Sequence, residues 1–149
     1  MRTIEQAAGD VQYEIDMCFK AFELLCRYTS CQPMTDGSCM DPHIDARLFL
    51  EAFLVHFRCL IEFFRMGGSG SYPDVRISHY LASAPLRVFA EALEKYKERI
   101  DKQLSHISFS RQRHEWDSEQ MARDLQNAWN AFIEALPDDR KSLFRTVKV

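Results

Sequence analysis

DPHIDARLFLEAFLVHFRCLIEFFRMGG, residues 41–68, decides how this chain is read. Five of the chain's eleven phenylalanines fall between Phe49 and Phe64. Asp41 followed by Pro42 is a helix start. The carboxylate can accept an orphan amide of the first turn, and the fixed φ of proline suits the first helical position. Gly67-Gly68 supplies the stop, because a left-handed cap costs least at glycine. The roughly 25 residues between would span about 37 Å. On a 3.6-residue wheel Arg47, Glu51, Arg58, Glu62 and Arg65 share one narrow sector, with alternating signs. Nearly all the rest of the circumference is apolar, and His56 lies in the middle of that arc. Such a helix is enclosed by other helices on most sides.

Outward from this segment, both flanks read as helical. Val11, Ile15, Cys18, Phe22 and Leu25 follow helical spacing, with Asp10 as the expected N-cap. CQPMTDGSCM, residues 31–40, has the Pro, Asp-Gly and Ser content of a loop, and GGSGSYPD from Gly67 onward reads as a hinge. PDVRISHYL predicts a short extra helix. A third main helix is expected from Pro85, its stripe made of Phe89, Leu93, Tyr96, Ile100, Leu104 and Ile107. After the polar linker SFSRQRHEWD, Asp117 and Gln120 are spaced as a capping box. The fourth helix carries Met121, Leu125, Ala128, Phe132 and Leu136 and stops at Pro137. The expected fold is all-α: a four-helix up-down bundle with a short extra helix between helices 2 and 3. One domain of residues 1–149 is expected, with its core at about 10–136 and a loosely held charged tail at 137–149.

Bulk properties narrow the function classes. A chain of 149 residues can bury a core without a disulfide or metal staple. The net charge of −3 gives no global basic field for non-specific nucleic-acid binding. Five cysteines and an N-terminus without an apolar run suggest free thiols in a cytoplasmic protein. The most apolar stretch, Leu48 to Phe64, contains Glu51, Arg58 and Glu62, so no membrane span is expected. Cys26, Cys31, Cys39 and His43 match no common zinc spacing, and there is no phosphate loop or Glu-x-x-His pair. No metal and no cofactor is therefore expected.

Three constellations are candidates for function. His56 is flanked by Phe49, Ala52, Cys59, Leu60 and Phe63; it reads as a core histidine bonded to a neighbouring helix, or as a binding residue or base. The alternating Arg47–Arg65 stripe reads as a salt-bridged edge, or as an oligomer seam of complementary charges. RIDKQLSHISFSR, residues 99–111, sets Arg99 and His106 seven apart, on one helix face about 10 Å apart. Arg111, Arg113, His114 and Trp116 follow as candidate binding residues. Arg with His suits metal-independent RNA cleavage, His taking the 2′-hydroxyl proton and Arg stabilising charge on the phosphate.

The Arg99-x6-His106 arrangement near one end of a helix resembles the HEPN superfamily of small helical bundles. Ile100 stands where that family usually has a polar residue, and Asp101 comes one position later. The resemblance implies a homodimer with the Arg/His pairs facing across the interface. Many members of that superfamily are non-catalytic partner-binding modules. The expected function is a cytosolic helical module that binds protein or RNA or self-associates. The alternative is a metal-independent RNase with Arg99 and His106 as its catalytic pair.

Overall fold

The computed structural model describes residues 3–30, 42–65, 75–81, 87–105 and 116–148. These residues are all-α, with no strand among them. The order is α1 (Ile4–Ser30), α2 (Pro42–Phe64), a 3-10 turn (Ile77–His79), α3 (Arg87–Glu94), α4 (Lys97–Ser105), α5 (Ser118–Ala135) and α6 (Asp138–Lys141). Among the described residues no helix is long and apolar enough to cross a membrane.

Helix α1 begins two turns before the expected cap at Asp10. Thr3 and Gln6 close its N-terminus reciprocally: the Gln6 amide donates to Thr3 Oγ1 at 3.3 Å, and the Thr3 amide donates to Gln6 Oε1 at 3.1 Å. That capping box satisfies two orphan donors. The most extensive helix pairing is between α1 and α2. Tyr13 meets His56, Phe22 meets Phe53 and Tyr28 meets Phe49, so the two helices run antiparallel. Val11, Ile15, Cys18, Phe22 and Leu25 are all buried, as their spacing requires.

Helix α2 buries Phe53, Leu54, Phe57, Leu60, Ile61, Phe63 and Phe64. Its enclosure is less complete than the wheel suggests, because Leu48 and Val55 stay 55% and 45% exposed. The start at Pro42 is as expected; Asp41 and Gly67-Gly68 lie outside the described residues. The predicted short helix after the hinge is the single 3-10 turn at Ile77–His79.

The third main helix is not continuous. It breaks at Lys95-Tyr96 into α3 and α4. At the break the Tyr96 hydroxyl donates to Asp124 Oδ2 at 2.7 Å, and Lys95 Nζ reaches the same oxygen at 2.9 Å. The Tyr96 ring stands edge-on to Phe57 at 5.5 Å. Contacts to α2 and α5 thus outweigh the local preference for one straight helix, which is the usual way tertiary packing overrides propensity.

Asp117 caps α5 by accepting the Gln120 amide at 2.9 Å. The other half of the expected box is diverted, since Gln120 Nε2 donates to Asp124 Oδ1. Met121, Leu125, Ala128, Phe132 and Leu136 are buried, and so is Trp129, which the predicted stripe omitted.

The C-terminal segment is docked rather than loosely held. Phe144 is 6% exposed and lies against Tyr80, Trp129 and Phe132, with ring centroids 5.2, 5.5 and 5.1 Å away. Arg140 Nη1 donates to the carbonyls of His79 and Tyr80 at 3.1 and 2.9 Å. Polarity over 137–149 disguised one aromatic anchor. Burial of the Phe144 ring acts together with the hydrogen bonds of Arg140 and of the 145–147 main chain to hold the segment in place.

Candidate functional site

Three surfaces concentrate polar or exposed apolar groups. The first lies along α4. Arg99 places its guanidinium 4.3 Å from the Trp116 ring centroid, a cation–π contact that joins a candidate catalytic position to a candidate binding position. Beside it Asp101 accepts from Arg58 Nε of α2 and from Lys97 Nζ, the latter at 2.6 Å. Glu62 reaches Lys97 at 3.4 Å and Arg65 at 3.6 Å. The C-terminal half of the α2 charge stripe is therefore a tether between α2 and α4. Arg58 turns across to Asp101 instead of pairing along its own helix with Glu62. Burial works to raise the Asp101 carboxyl, but hydrogen bonds from Lys97 and Arg58 outweigh it and hold the group below the usual aspartate range. His106, Arg111, Arg113 and His114 lie outside the described residues.

His56 belongs to a different interface. Its Nδ1 is 2.8 Å from Glu14 Oε2 of α1, with the imidazole 16% exposed. Tyr13 meets the ring edge-on at 6.2 Å. The bond to a neighbouring helix is as one of the readings has it, with His56 partly buried at the α1–α2 seam rather than in the core, and Glu14 is the partner that sequence spacing could not supply. Cys59 joins the cluster on the exposed side. Desolvation raises its thiol, and the Glu14 carboxylate raises it further by charge and hydrogen bonding; Arg58 opposes this more weakly. A thiol held in its protonated form beside a carboxylate is a poor nucleophile. Cys18 is deeper still, and burial pushes it well up; Cys26 is raised by desolvation and by Glu119. Among the described residues no three His, Cys, Asp or Glu side chains are grouped to hold a metal ion.

The outer face of the α1–α2 pair is the second surface. Tyr13 is 55% exposed, like Leu48. Met17 and Leu24 share the Tyr13 side of α1, while Ala52, Val55 and Cys59 share the Leu48 side of α2, all at helical spacings that align them. By helical spacing these residues share the outer face of the α1–α2 pair, flanked on α2 by exposed Arg47 and Glu51.

The third surface is the groove between α1 and α5 that holds the chain's own C-terminal residues. Gln12 is buried within it, and Tyr80 closes one end. Burial pushes the Tyr80 phenol up to about 12, so it remains a donor, and it hydrogen-bonds the Ile4 carbonyl at 3.2 Å.

Sequence reasoning reached His56, Arg99 and Trp116 but missed Glu14, Gln12, Trp129 and Phe144. Gln12 carried a signal, since it sits beside Val11 on the same side of α1 as the apolar stripe. Phe144 carried one as the lone aromatic of a charged segment. Comparison of the chain with protein-family models, curated proteins and solved structures finds no match.

Proposed function

We propose that this chain is a cytosolic helical interaction module, its main helices arranged as a four-helix up-down bundle, which acts by pairing with a second copy of itself. The observation that carries this reading is the exposed strip of Tyr13, Leu48 and Val55 on the α1–α2 face. Exposed apolar side chains gathered on one face mark an interaction surface more often than single ones do. The neighbouring charges, Arg47 and Glu51, are of both signs. A patch flanked in this way complements itself across a two-fold axis, as an isologous dimer requires. At Cys18, Cys26 and Cys59 the thiol is shifted away from the thiolate, mainly by desolvation, which argues against nucleophilic chemistry at these three described positions.

Sedimentation velocity tests this. The wild type should sediment as a dimer, and Val55→Asp combined with Leu48→Asp should give a folded monomer. A wild type that stays monomeric up to its solubility limit ends the reading.

A second reading has one observation in its favour. The Arg99–Trp116 stack joins a cation and a flat aromatic surface, a combination suited to a nucleic-acid phosphate and base. Under it the chain is a HEPN-like, metal-independent RNase, with His106 as base, Arg99 on the phosphate, and Arg111, Arg113 and His114 as backbone contacts. RNA cleavage in EDTA by the wild type, lost in His106→Ala, would support it. Equal cleavage by both proteins, or by neither, would remove it.

A further inference from the structure

The C-terminal segment is held the way a bound peptide is held. From Phe144 to Val147 it forms no helix or strand. It runs antiparallel along α5: Phe144 meets Phe132, the Arg145 carbonyl accepts from Trp129 Nε1 at 2.8 Å, and the Val147 carbonyl accepts from Gln126 Nε2 at 3.0 Å. From the opposite wall the Arg145 amide donates to Gln12 Oε1 at 2.7 Å, and the Arg145 guanidinium pairs with Asp16. Three main-chain groups within four residues are thus read by side chains of two helices. Ordinarily such groups are satisfied by the segment's own secondary structure or by water.

The reading is built in. Gln12 is the one buried polar side chain among the described residues, and its Nε2 donates to Asp16 Oδ1 at 2.8 Å. One amide therefore sets both the acceptor for the peptide N–H and the orientation of the carboxylate that meets the arginine. Side-chain selection accompanies backbone reading. There is an aromatic pocket for Phe144, a carboxylate for Arg145 and an apolar wall for Val147. The track also extends past its occupant. A groove of about 550 Å³ opens beside Val147 and Lys148 and continues along α1 over Phe19, Phe22 and Cys26.

We propose that the α1–α5 groove is a peptide-recognition site for non-helical segments of the pattern Phe-Arg-x-Val carried by another chain, the resident tail being its intramolecular stand-in. An incoming segment places phenylalanine among Tyr80, Trp129 and Phe132 and arginine on Asp16. Its main chain takes the bonds from Gln12, Trp129 and Gln126. A further apolar residue on the incoming segment fills the open part of the groove over Phe19 and Phe22. The resident tail lowers apparent affinity by the fraction of molecules in which it is docked. This site is separate from the α1–α2 face and does not depend on the self-pairing proposed for that face.

The test uses the full chain carrying Phe144→Ala, which weakens the resident tail, and a fluorescein-labelled peptide of residues 141–149 as the probe. Anisotropy should rise saturably. Affinity should fall by about tenfold or more when the peptide's phenylalanine is replaced by aspartate, or when Gln12→Ala is added to the protein, because a buried amide is then left without its acceptor. A folded variant with no saturable binding, or with equal binding of the aspartate peptide, overturns the proposal. Should Phe144→Ala unfold, recovery of helical circular dichroism on adding the peptide supports it. In that case the wild type decides as well: it is warmed to the foot of its melt with excess peptide, cooled and gel-filtered. Retained peptide supports the site, and a peptide-free protein overturns it.

Discussion

Replacing Phe144 with alanine is the sharpest probe of how the C-terminus contributes to stability. Phe144 is 6% exposed, with three ring neighbours within 5.5 Å. Truncating a buried phenylalanine costs about 3–5 kcal/mol, part from lost transfer of apolar surface and part from the cavity left behind. The three ring pairs lie inside that figure rather than adding to it. On a domain stable by roughly 5–15 kcal/mol this is a third or more of the total in most of that range. The melting temperature should fall by on the order of 10 °C for a chain of this size. Urea unfolding followed by circular dichroism and by tryptophan fluorescence, to which Trp116 and Trp129 both contribute, gives the measurement. The m-value should fall as well if the loss of Phe144 frees residues 144–148 in the native state, because less surface is then left to expose. A loss below about 1 kcal/mol with an unchanged m-value is what a loose, polar tail would give. That result would refute the docked segment.

Three more expectations follow from the polar contacts. Arg58→Ala should cost about 0.5–1 kcal/mol, at the upper end for an exposed pair, and a double-mutant cycle should find the coupling with Asp101 rather than with Glu62. At Asp124, burial favours the protonated form, yet hydrogen bonds from Lys95, Tyr96 and Gln120 prevail and the carboxyl sits below its ordinary value of 3.8. Its stabilising contribution is therefore complete above the unfolded value and drains as pH falls through the lower folded one. Asp124→Asn should be less stable than wild type at neutral pH, and the gap should close below about pH 4 in acid-denaturation curves. Cys59 should react slowly with iodoacetamide at neutral pH despite its exposure, and Glu14→Gln should speed the reaction several-fold by removing the carboxylate that raises the thiol. An unchanged alkylation rate would show that Glu14 does not control Cys59.

The helical class was legible in the sequence because each main helix carries its own period. The stripes on α1 and α5 are buried as spaced, and Pro42 begins α2 where it should. What stayed hidden are contacts between residues far apart in the chain. The break at Lys95-Tyr96 is set by Asp124 of α5 and Phe57 of α2, neither visible in the local pattern. The charge stripe on α2 is a solvated edge in the wheel projection, and only the position of α4 turns Arg58 toward Asp101. The segment 144–148 has no period, so beyond the lone aromatic at Phe144 and the inward place of Gln12 nothing local joins it to Gln12, Gln126 and Trp129. For the candidate site the outcome is similar. Periodicity placed His56 on an inward face but could not name Glu14, while Arg99 and Trp116 met as adjacent polar and aromatic anchors.

The bond from Arg145 to Gln12 joins residues 133 positions apart. Its consequence lies in the order in which the protein is made. During synthesis α1 and α2 leave the ribosome before α5 and can pair as a hairpin, since earlier elements begin to organise while later ones are still being translated. Their inner surface is not yet closed. Phe63, Phe64 and Tyr80 wait for Trp129, Phe132 and finally Phe144. The nascent chain thus carries an aromatic surface open to water, and to chaperones, until Phe144 has been added and can dock. A chain cut short after Pro137 would keep every main helix and still emerge with its hydrophobic centre unsealed.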